Sequence, residues 1–252
     1  AAPDCGTSII GLCGDVNDDG KLNLLDVSST INHLYRGYPE PICGAVTDID
    51  GNVYKTVMIG TQEWMVENLK VTHYRNGDPI PNVTDEATWE SLTTGAYCNY
   101  NNDINNAATY GRLYNWYAAV DSRNIAPAGW HVPSDAEWKQ LEMYLGMSQV
   151  EADAIGLYRG TTEGGKMKEA GTTHWLSPNT NASNESGFSG MPAGDRHVNG
   201  AFSHVGERAY FWSSTEAVSS IALERGLRYD ESVIGREGGL EYFGFSVRCV
   251  RD

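Results

Sequence analysis

The stretch that decides the fold is Gly129-Trp130-His131-Val132-Pro133-Ser134-Asp135-Ala136-Glu137-Trp138, because it contains a helix-start signal. Ser134 and Glu137 have the spacing of a capping box, in which each residue's side chain accepts a hydrogen bond from the other residue's backbone N–H. The pattern predicts a helix that begins at this box and runs to about residue 145. Its inward face carries apolar side chains at helical spacing, namely Trp138, Leu141 and Leu145.

Extended segments and a second helix surround this stretch. Residues 53–59 and 63–66 are strand-like and are separated by Gly60 and Thr61, which predicts a turn between two strands. The segment Tyr110 to Val120 has apolar residues at helical spacing and predicts another helix. Residues 210–214 and 244–250 read as the closing strands. Two helices with short strands and long glycine-rich loops indicate an α+β fold.

Charge and hydropathy exclude some partners. The 252 residues contain 18 Lys and Arg against 33 Asp and Glu, a net charge of −15. Such a surface repels phosphate backbones and anionic membranes, so we expect no nucleic-acid partner. No run of 18 apolar residues occurs, so we expect no membrane insertion. The sequence starts at Ala1 without methionine, as a processed, secreted protein would.

Five cysteines suggest disulfides in an oxidising compartment. A bridge between Cys13 and Cys43 would close the small N-terminal module, and Cys5 could compete for either partner. Cys98 and Cys249 are candidates for a second bridge. Because five is odd, at least one thiol is free or pairs between chains.

Residues 15–26 have the pattern of a calcium-binding loop. Oxygen-bearing side chains recur at alternate positions, and Gly20 stands where the loop must turn sharply. The alternative is a metal-free turn rich in Asp, Asn and Gly, but the spacing favours Ca²⁺. The predicted ligands are Asp15, Asn17, Asp19, Lys21 (through its backbone carbonyl), Asn23 and Asp26.

The segment Cys13 to Gly37 resembles one dockerin repeat, because its loop ends in Asp26 and no helix precedes it. Dockerins usually carry two such repeats, and only one is found here. A single loop and helix would expose an apolar stripe that must dock elsewhere. We therefore expect a calcium module at 1–40, a linker at 41–47 and a larger domain at 48–252.

The larger domain contains five motifs in order along the chain: Ile59-Gly60-Thr61-Gln62-Glu63-Trp64-Met65-Val66-Glu67-Asn68-Leu69, Tyr110-Gly111-Arg112-Leu113-Tyr114-Asn115-Trp116, the stretch 129–138, Phe211-Trp212-Ser213-Ser214-Thr215-Glu216 and Gly244-Phe245-Ser246-Val247-Arg248-Cys249-Val250. With these motifs the domain resembles the Fibrobacter succinogenes major paralogous domain. The resemblance implies a C-type-lectin-like fold in a secreted or surface protein. It implies no particular ligand, because fold does not fix function.

Residues 217–241 are the candidate ligand region, since related lectin-like proteins display their contacts there. The alternative, a plain surface hairpin with solvated charges, stays open. Trp64, Trp116, Trp130, Trp138 and Trp212 are expected in the core rather than on a sugar-stacking platform. The calcium motifs of sugar-binding C-type lectins do not occur. The candidate ligand contacts are Arg225, Arg228, Tyr229, Asp230, Arg236 and Glu241.

No nucleophile–base pair is identifiable, so we expect no enzyme activity. Formylglycine-generating enzymes resemble one another in a pair of C-terminal cysteines, and this chain has only Cys249 there. The favoured function is a secreted, calcium-stabilised structural protein that assembles with other copies of itself or with an extracellular scaffold. The alternative is a lectin-like adhesin that binds glycan or protein through residues 217–241.

Overall fold

The computed structural model describes residues 42–252, with side chains from residue 44 onward, and this part of the chain is rich in β-structure. Thirteen strands are present in the described part: β1 (Ile42–Thr47), β2 (Val53–Ile59), β3 (Gln62–Met65), β4 (Tyr97–Cys98), β5 (Leu113–Tyr114), β6 (Trp130–His131), β7 (Gly156–Arg159), β8 (Ala193–Arg196), β9 (Phe202–Val205), β10 (Arg208–Val218), β11 (Ile221–Arg228), β12 (Ile234–Leu240) and β13 (Val250–Arg251).

Short helices connect these strands. The longest described helix has ten residues, Asp135–Tyr144. The other α-helices are Glu86–Glu90, Ile104–Tyr110, Trp116–Ala119, Gln149–Asp153 and Glu163–Met167, with one 3₁₀ turn at Tyr100–Asn102. No described helix is long and apolar enough to cross a membrane.

One sheet has five strands in the order β1-β2-β3-β13-β6. The predicted hairpin is confirmed, since β2 and β3 pair in antiparallel fashion around Gly60, which has φ of +64°. Strand β13 lies between β3 and β6: Val250 faces Trp64 on one side and His131 on the other. Residues almost two hundred positions apart therefore form the middle of this sheet.

The second sheet has six strands in the order β7-β12-β11-β10-β8-β9. Its centre is the antiparallel run β10-β11-β12, in which Tyr210 faces Gly226 and Gly226 faces Gly235. The predicted strand at 210–214 is confirmed as part of β10. β4 and β5 form a separate two-stranded sheet.

The helix Asp135–Tyr144 packs between the two large sheets. Its predicted capping box is present, with both reciprocal hydrogen bonds between Ser134 and Glu137. Trp138 is fully buried, with its ring centre 4.7 Å from that of Trp64 in β3 and 5.8 Å from that of Phe211 in β10. Burial of each such ring is worth about 2–3 kcal/mol, so this cluster joins the helix to both sheets.

The predicted α+β, C-type-lectin-like fold with two helices is wrong. Helices contain only 19% of the described residues, and the two large sheets supply the framework. The glycine-rich stretch between the predicted strands at 210–214 and 244–250 contains two central strands of the six-stranded sheet, β11 and β12, which the sequence did not predict. β11 and β12 are hard to recognise in the sequence because they contain Gly226, Gly235, Gly238 and Gly239, and glycine is depleted in ordinary strands.

The predicted helix from Tyr110 to Val120 is also wrong. One helix ends at Tyr110, because Gly111 follows with φ of +77°, and β5 comes next. A separate short helix begins after Asn115, whose side chain caps it and also accepts a hydrogen bond from the backbone N–H of Ala96. The apolar spacing that suggested one helix therefore belongs to three short elements.

The predicted closing strand at 244–250 is mostly irregular. Gly244, Phe245 and Ser246 each form a single β-bridge, with Arg196, Tyr114 and Phe211 respectively. Each of these three residues thus pairs with a different element, and only Val250–Arg251 forms a regular strand.

Two further predictions concern the linker and the disulfides. The predicted linker at 41–47 is strand β1 from Ile42 onward, paired with β2. The predicted Cys98–Cys249 bridge is not formed: both cysteines are buried free thiols in different core clusters. The Cys13–Cys43 pair and Cys5 lie outside the residues whose side chains are described.

Candidate functional site

The six-stranded sheet has two chemically different faces. Side chains alternate along each strand, so Arg225 of β11 and Phe211 of β10 point towards the helix Asp135–Tyr144, on what we call the inner face. Glu224 and Tyr210 point the opposite way, to the outer face. At one end of the outer face Trp212 and Gly239 are covered by the ring of Phe245.

The uncovered part of the outer face forms a narrow cleft, which we call the Glu224 cleft. It has room for one group of about the size of a water molecule. Its floor is open because Gly226 and Gly235, which face each other across β11 and β12, carry no side chains. The cleft is lined by Leu157, Arg208, Tyr210, Glu224, Gly226, Leu227, Arg228, Val233, Gly235 and Glu237.

Glu224 is the most unusual group in the cleft. Its side chain belongs to a residue only 4% exposed, and its Oε2 atom has no hydrogen-bond partner. Burial, together with the negative charge of Glu237 directly across the ladder, raises the pKa of Glu224 to about 8. An unpartnered buried polar atom costs about 1–3 kcal/mol, so this arrangement is stabilised by contacts elsewhere in the fold.

Two arginines stand at the other end of the cleft, and both are engaged. The guanidinium of Arg228 donates to both oxygens of Asp230 at 3.1 Å. Arg208 donates to the hydroxyl oxygen of Tyr210 at 2.9 Å. The hydrogen bonds from Arg228 lower the pKa of Asp230, so this carboxylate is charged at neutral pH.

Two of the predicted ligand contacts lie on the inner face, in a buried ion-pair network. Arg236 donates to both oxygens of Asp135 at 2.8 Å. Arg225 donates to Asp135 at 2.9 Å and also to the carboxylate of Glu142, which is fully buried. Burial alone would raise the pKa of Asp135, but the hydrogen bonds from Arg236 and the charge of Arg225 lower it to about 2. These arginines fix the helix to the sheet.

Arg159 completes this network. Its guanidinium donates to both oxygens of Glu142, at 3.0 and 2.9 Å. Since its strand, β7, is the edge strand next to β12, the network ties the sheet edge to the same helix.

The other predicted ligand contacts lie in different parts of the structure. Glu241 is buried and hydrogen-bonded to Tyr117, beside the core cluster that includes Trp212 and Phe245. Tyr229 is half-buried and packs against the cluster around Trp138. Only Arg228, with its partner Asp230, lies at the cleft. The hairpin 217–241 is therefore not simply a solvated loop, since its strands carry both the cleft and the inner network.

The predicted core tryptophans are confirmed, with Trp64, Trp138 and Trp212 fully buried and Trp130 5% exposed. Trp116 is partly buried and packs against the same core, and its indole N–H donates to the carbonyl of Ser213 at 2.9 Å.

The predicted calcium ligands Asp15 to Asp26 lie outside the described residues. Within residues 44–252, no group of three or more His, Cys, Asp or Glu side chains is arranged to hold a metal ion.

Sequence reasoning missed Glu224, Glu237, Gly226 and Gly235. The sequence prediction names charged residues in this region without regard to strand phase, so it includes inner-face arginines along with Arg228. Period-two alternation in Leu223-Glu224-Arg225-Gly226-Leu227 was available in the sequence and separates the two faces.

The described residues therefore form a β-rich domain with one polar cleft on the outer face of its larger sheet. The family model for the Fibrobacter succinogenes major domain matches residues 57–251, and the chain belongs to this family. Comparisons with curated proteins and with solved structures gave no match. The comparisons do not show the dockerin-like repeat at 13–37, which stays a prediction.

Proposed function

We propose that this protein is a secreted recognition protein that binds one small group, displayed by a glycan or protein partner, at the Glu224 cleft. The observation that carries the proposal is the buried Oε2 atom of Glu224, which lacks a hydrogen-bond partner and faces a cleft without side chains on its floor. A buried carboxyl without a partner lowers stability, so its presence calls for an explanation, and a ligand that completes its hydrogen bonds supplies one.

The surroundings of the cleft support binding. The rigid strands β10, β11 and β12 supply most of its lining, so its shape is set before a ligand arrives. The engaged arginines and the ring of Tyr210 fix the cleft walls.

The test uses the full chain on glycan and peptide arrays, with Gly226→Ala as the blocking variant. A methyl group at Gly226 would lie 3.7 Å from Oε2 of Glu224 and 3.7 Å from the ring of Tyr210, which is ordinary van der Waals contact. The variant is therefore expected to fold normally and to fill the cleft. Glu216→Gln, an exposed position on β10, is the matched control.

We expect array features that bind the wild type and Glu216→Gln to be lost with Gly226→Ala. Thermal unfolding of all three proteins should be alike, since no core contact changes. Binding that is the same in Gly226→Ala, or no binding to any feature, would contradict the proposal.

The assembly role predicted from Asp15–Asp26 stays a separate prediction, because that segment lies outside the described residues. Negative-stain microscopy with calcium and then with a chelator tests it. Fibres or rings that vanish on chelation would support assembly, and dispersed particles in both conditions would count against it.

A further inference from the structure

We propose that the Glu224 cleft binds the primary ammonium group of a lysine side chain presented by a protein partner. This inference rests on the proposed function, since it names the chemical group that the cleft takes. It follows from four properties of the cleft: its unpartnered acceptor, its charge, its size and its rim.

The cleft contains a buried carboxyl oxygen that no donor of the described residues reaches. Oε2 of Glu224 is buried and unpartnered, and the carboxyl group of Glu237 stands directly across the β11–β12 ladder. A group that donates several hydrogen bonds at once would satisfy such a site. An ammonium group has three donors and no acceptor, so none of its atoms would be left opposite a carboxylate lone pair.

The charge balance around the cleft becomes acidic once Glu224 is ionised. Glu224, Glu237 and Asp230 stand against Arg208 and Arg228, and Arg228 is neutralised by its two hydrogen bonds to Asp230. The charge of Asp195, on strand β8 beside β10, opposes ionisation of Glu224 and offsets the positive charge of Arg208. A bound ammonium would let Glu224 release its proton to solvent, and an ion pair out of water is stronger than one at the surface.

The size of the cleft favours an ammonium over larger cationic groups. The cleft has room for about one water-sized group, which fits an ammonium but is too small for the planar fork of a guanidinium or for a sugar ring. Metal ions are disfavoured because no cluster of three ligating side chains is found in residues 44–252.

The rim fits the stem of a lysine. Leu157, which is 40% exposed, and the half-buried Val233 line one wall, and the ring of Tyr210 lines the other. A lysine side chain buries its four methylene groups along apolar surface while its ammonium reaches a polar partner. The net charge of −15 would also speed encounter with a basic partner.

The experiment is an NMR titration of the full ¹⁵N-labelled chain with Nα-acetyl-lysine N-methylamide, following the backbone amides of Gly226 and Gly235. Parallel titrations use the Nε-acetylated analogue, the corresponding arginine compound, glucosamine and calcium chloride. Gly226→Ala and Glu224→Gln are the test variants, and Glu216→Gln is the matched control.

We expect saturable shifts of both glycine amides with the lysine compound. Acetylation of the ammonium, or either test variant, should weaken binding by about tenfold or more, equivalent to about 1.4 kcal/mol. Glu216→Gln should bind as the wild type does. The inference is overturned if the lysine compound gives no saturable shift, if its acetylated analogue binds equally well, or if arginine, glucosamine or calcium binds more tightly.

The two proposals fail separately. If array binding depends on Gly226 but the lysine compound does not bind, the cleft is a binding site for another group and only the lysine inference is wrong. If neither kind of binding depends on Gly226, both proposals are wrong.

Discussion

Replacing Glu224 with glutamine should change how the stability of the protein depends on pH. The pKa of Glu224 is about 8 in the folded chain against an ordinary value of 4.5. Between these pH values the unfolded chain loses this proton while the folded chain keeps it, so the free energy of unfolding falls as pH rises. At about 1.4 kcal/mol for each pH unit, the loss amounts to about 5 kcal/mol between pH 4.5 and pH 8.

Glutamine has nearly the shape of a protonated glutamate and does not titrate. We therefore expect Glu224→Gln to match the wild type near pH 4.5 and to exceed it by about 5 kcal/mol near pH 8. Urea unfolding of the full chain at intervals from pH 4.5 to 8.5 measures this, and the difference between the two proteins cancels all other titrating groups.

The control is Glu216→Gln, whose side chain is exposed, and its stability should run parallel to the wild type at every pH. A constant difference between Glu224→Gln and the wild type across the range would refute the reasoning. In that case Glu224 would be charged in the folded protein, and its surroundings would have to supply a partner that the structure does not show.

Three further predictions concern other parts of the chain. Asp135→Asn should lower the free energy of unfolding by about 3 kcal/mol in urea titrations, because it leaves two buried guanidinium groups short of a counter-charge; Asp153→Asn, at an exposed position on the neighbouring helix, should change it little, and equal effects would contradict this role. Cys98 and Cys249 should react with a thiol reagent only after unfolding and should appear in separate alkylated peptides; a peptide in which they are joined would count against two free thiols. Asp15→Ala should reduce bound calcium, measured by equilibrium dialysis, from one ion per chain to none, whereas an unchanged stoichiometry would exclude the predicted loop.

The parts of the fold that sequence predicted correctly have local causes. The helix Asp135–Tyr144 starts at a capping box that closes within four residues, and the β2–β3 hairpin turns at a glycine. Such features depend on neighbours along the chain, which the sequence displays directly.

The parts that failed depend on distant partners. Residues 244–250 have the composition of a strand, but three successive residues bridge to three different elements, a choice that only the packed core decides. The fold class failed for a related reason, because the glycines of β11 and β12 mask strands held by neighbours on both sides.

The sequence indicated only part of the candidate site. The resemblance pointed to residues 217–241, where the Glu224 cleft largely lies, and the predicted contacts include Arg228. Its central acceptor was missed because Glu224 and Arg225 are adjacent, charged and both buried, yet point to opposite faces of one strand. Strand phase becomes decisive only when the neighbours that cover each face are known.

The position of β13 between β3 and β6 determines when the five-stranded sheet can form. The five-stranded sheet cannot close until Val250 and Arg251 have left the ribosome, although β2 and β3 emerge some 180 residues earlier. A sheet that depends on so distant a strand forms late in folding, because pairings over long sequence separations form slowly.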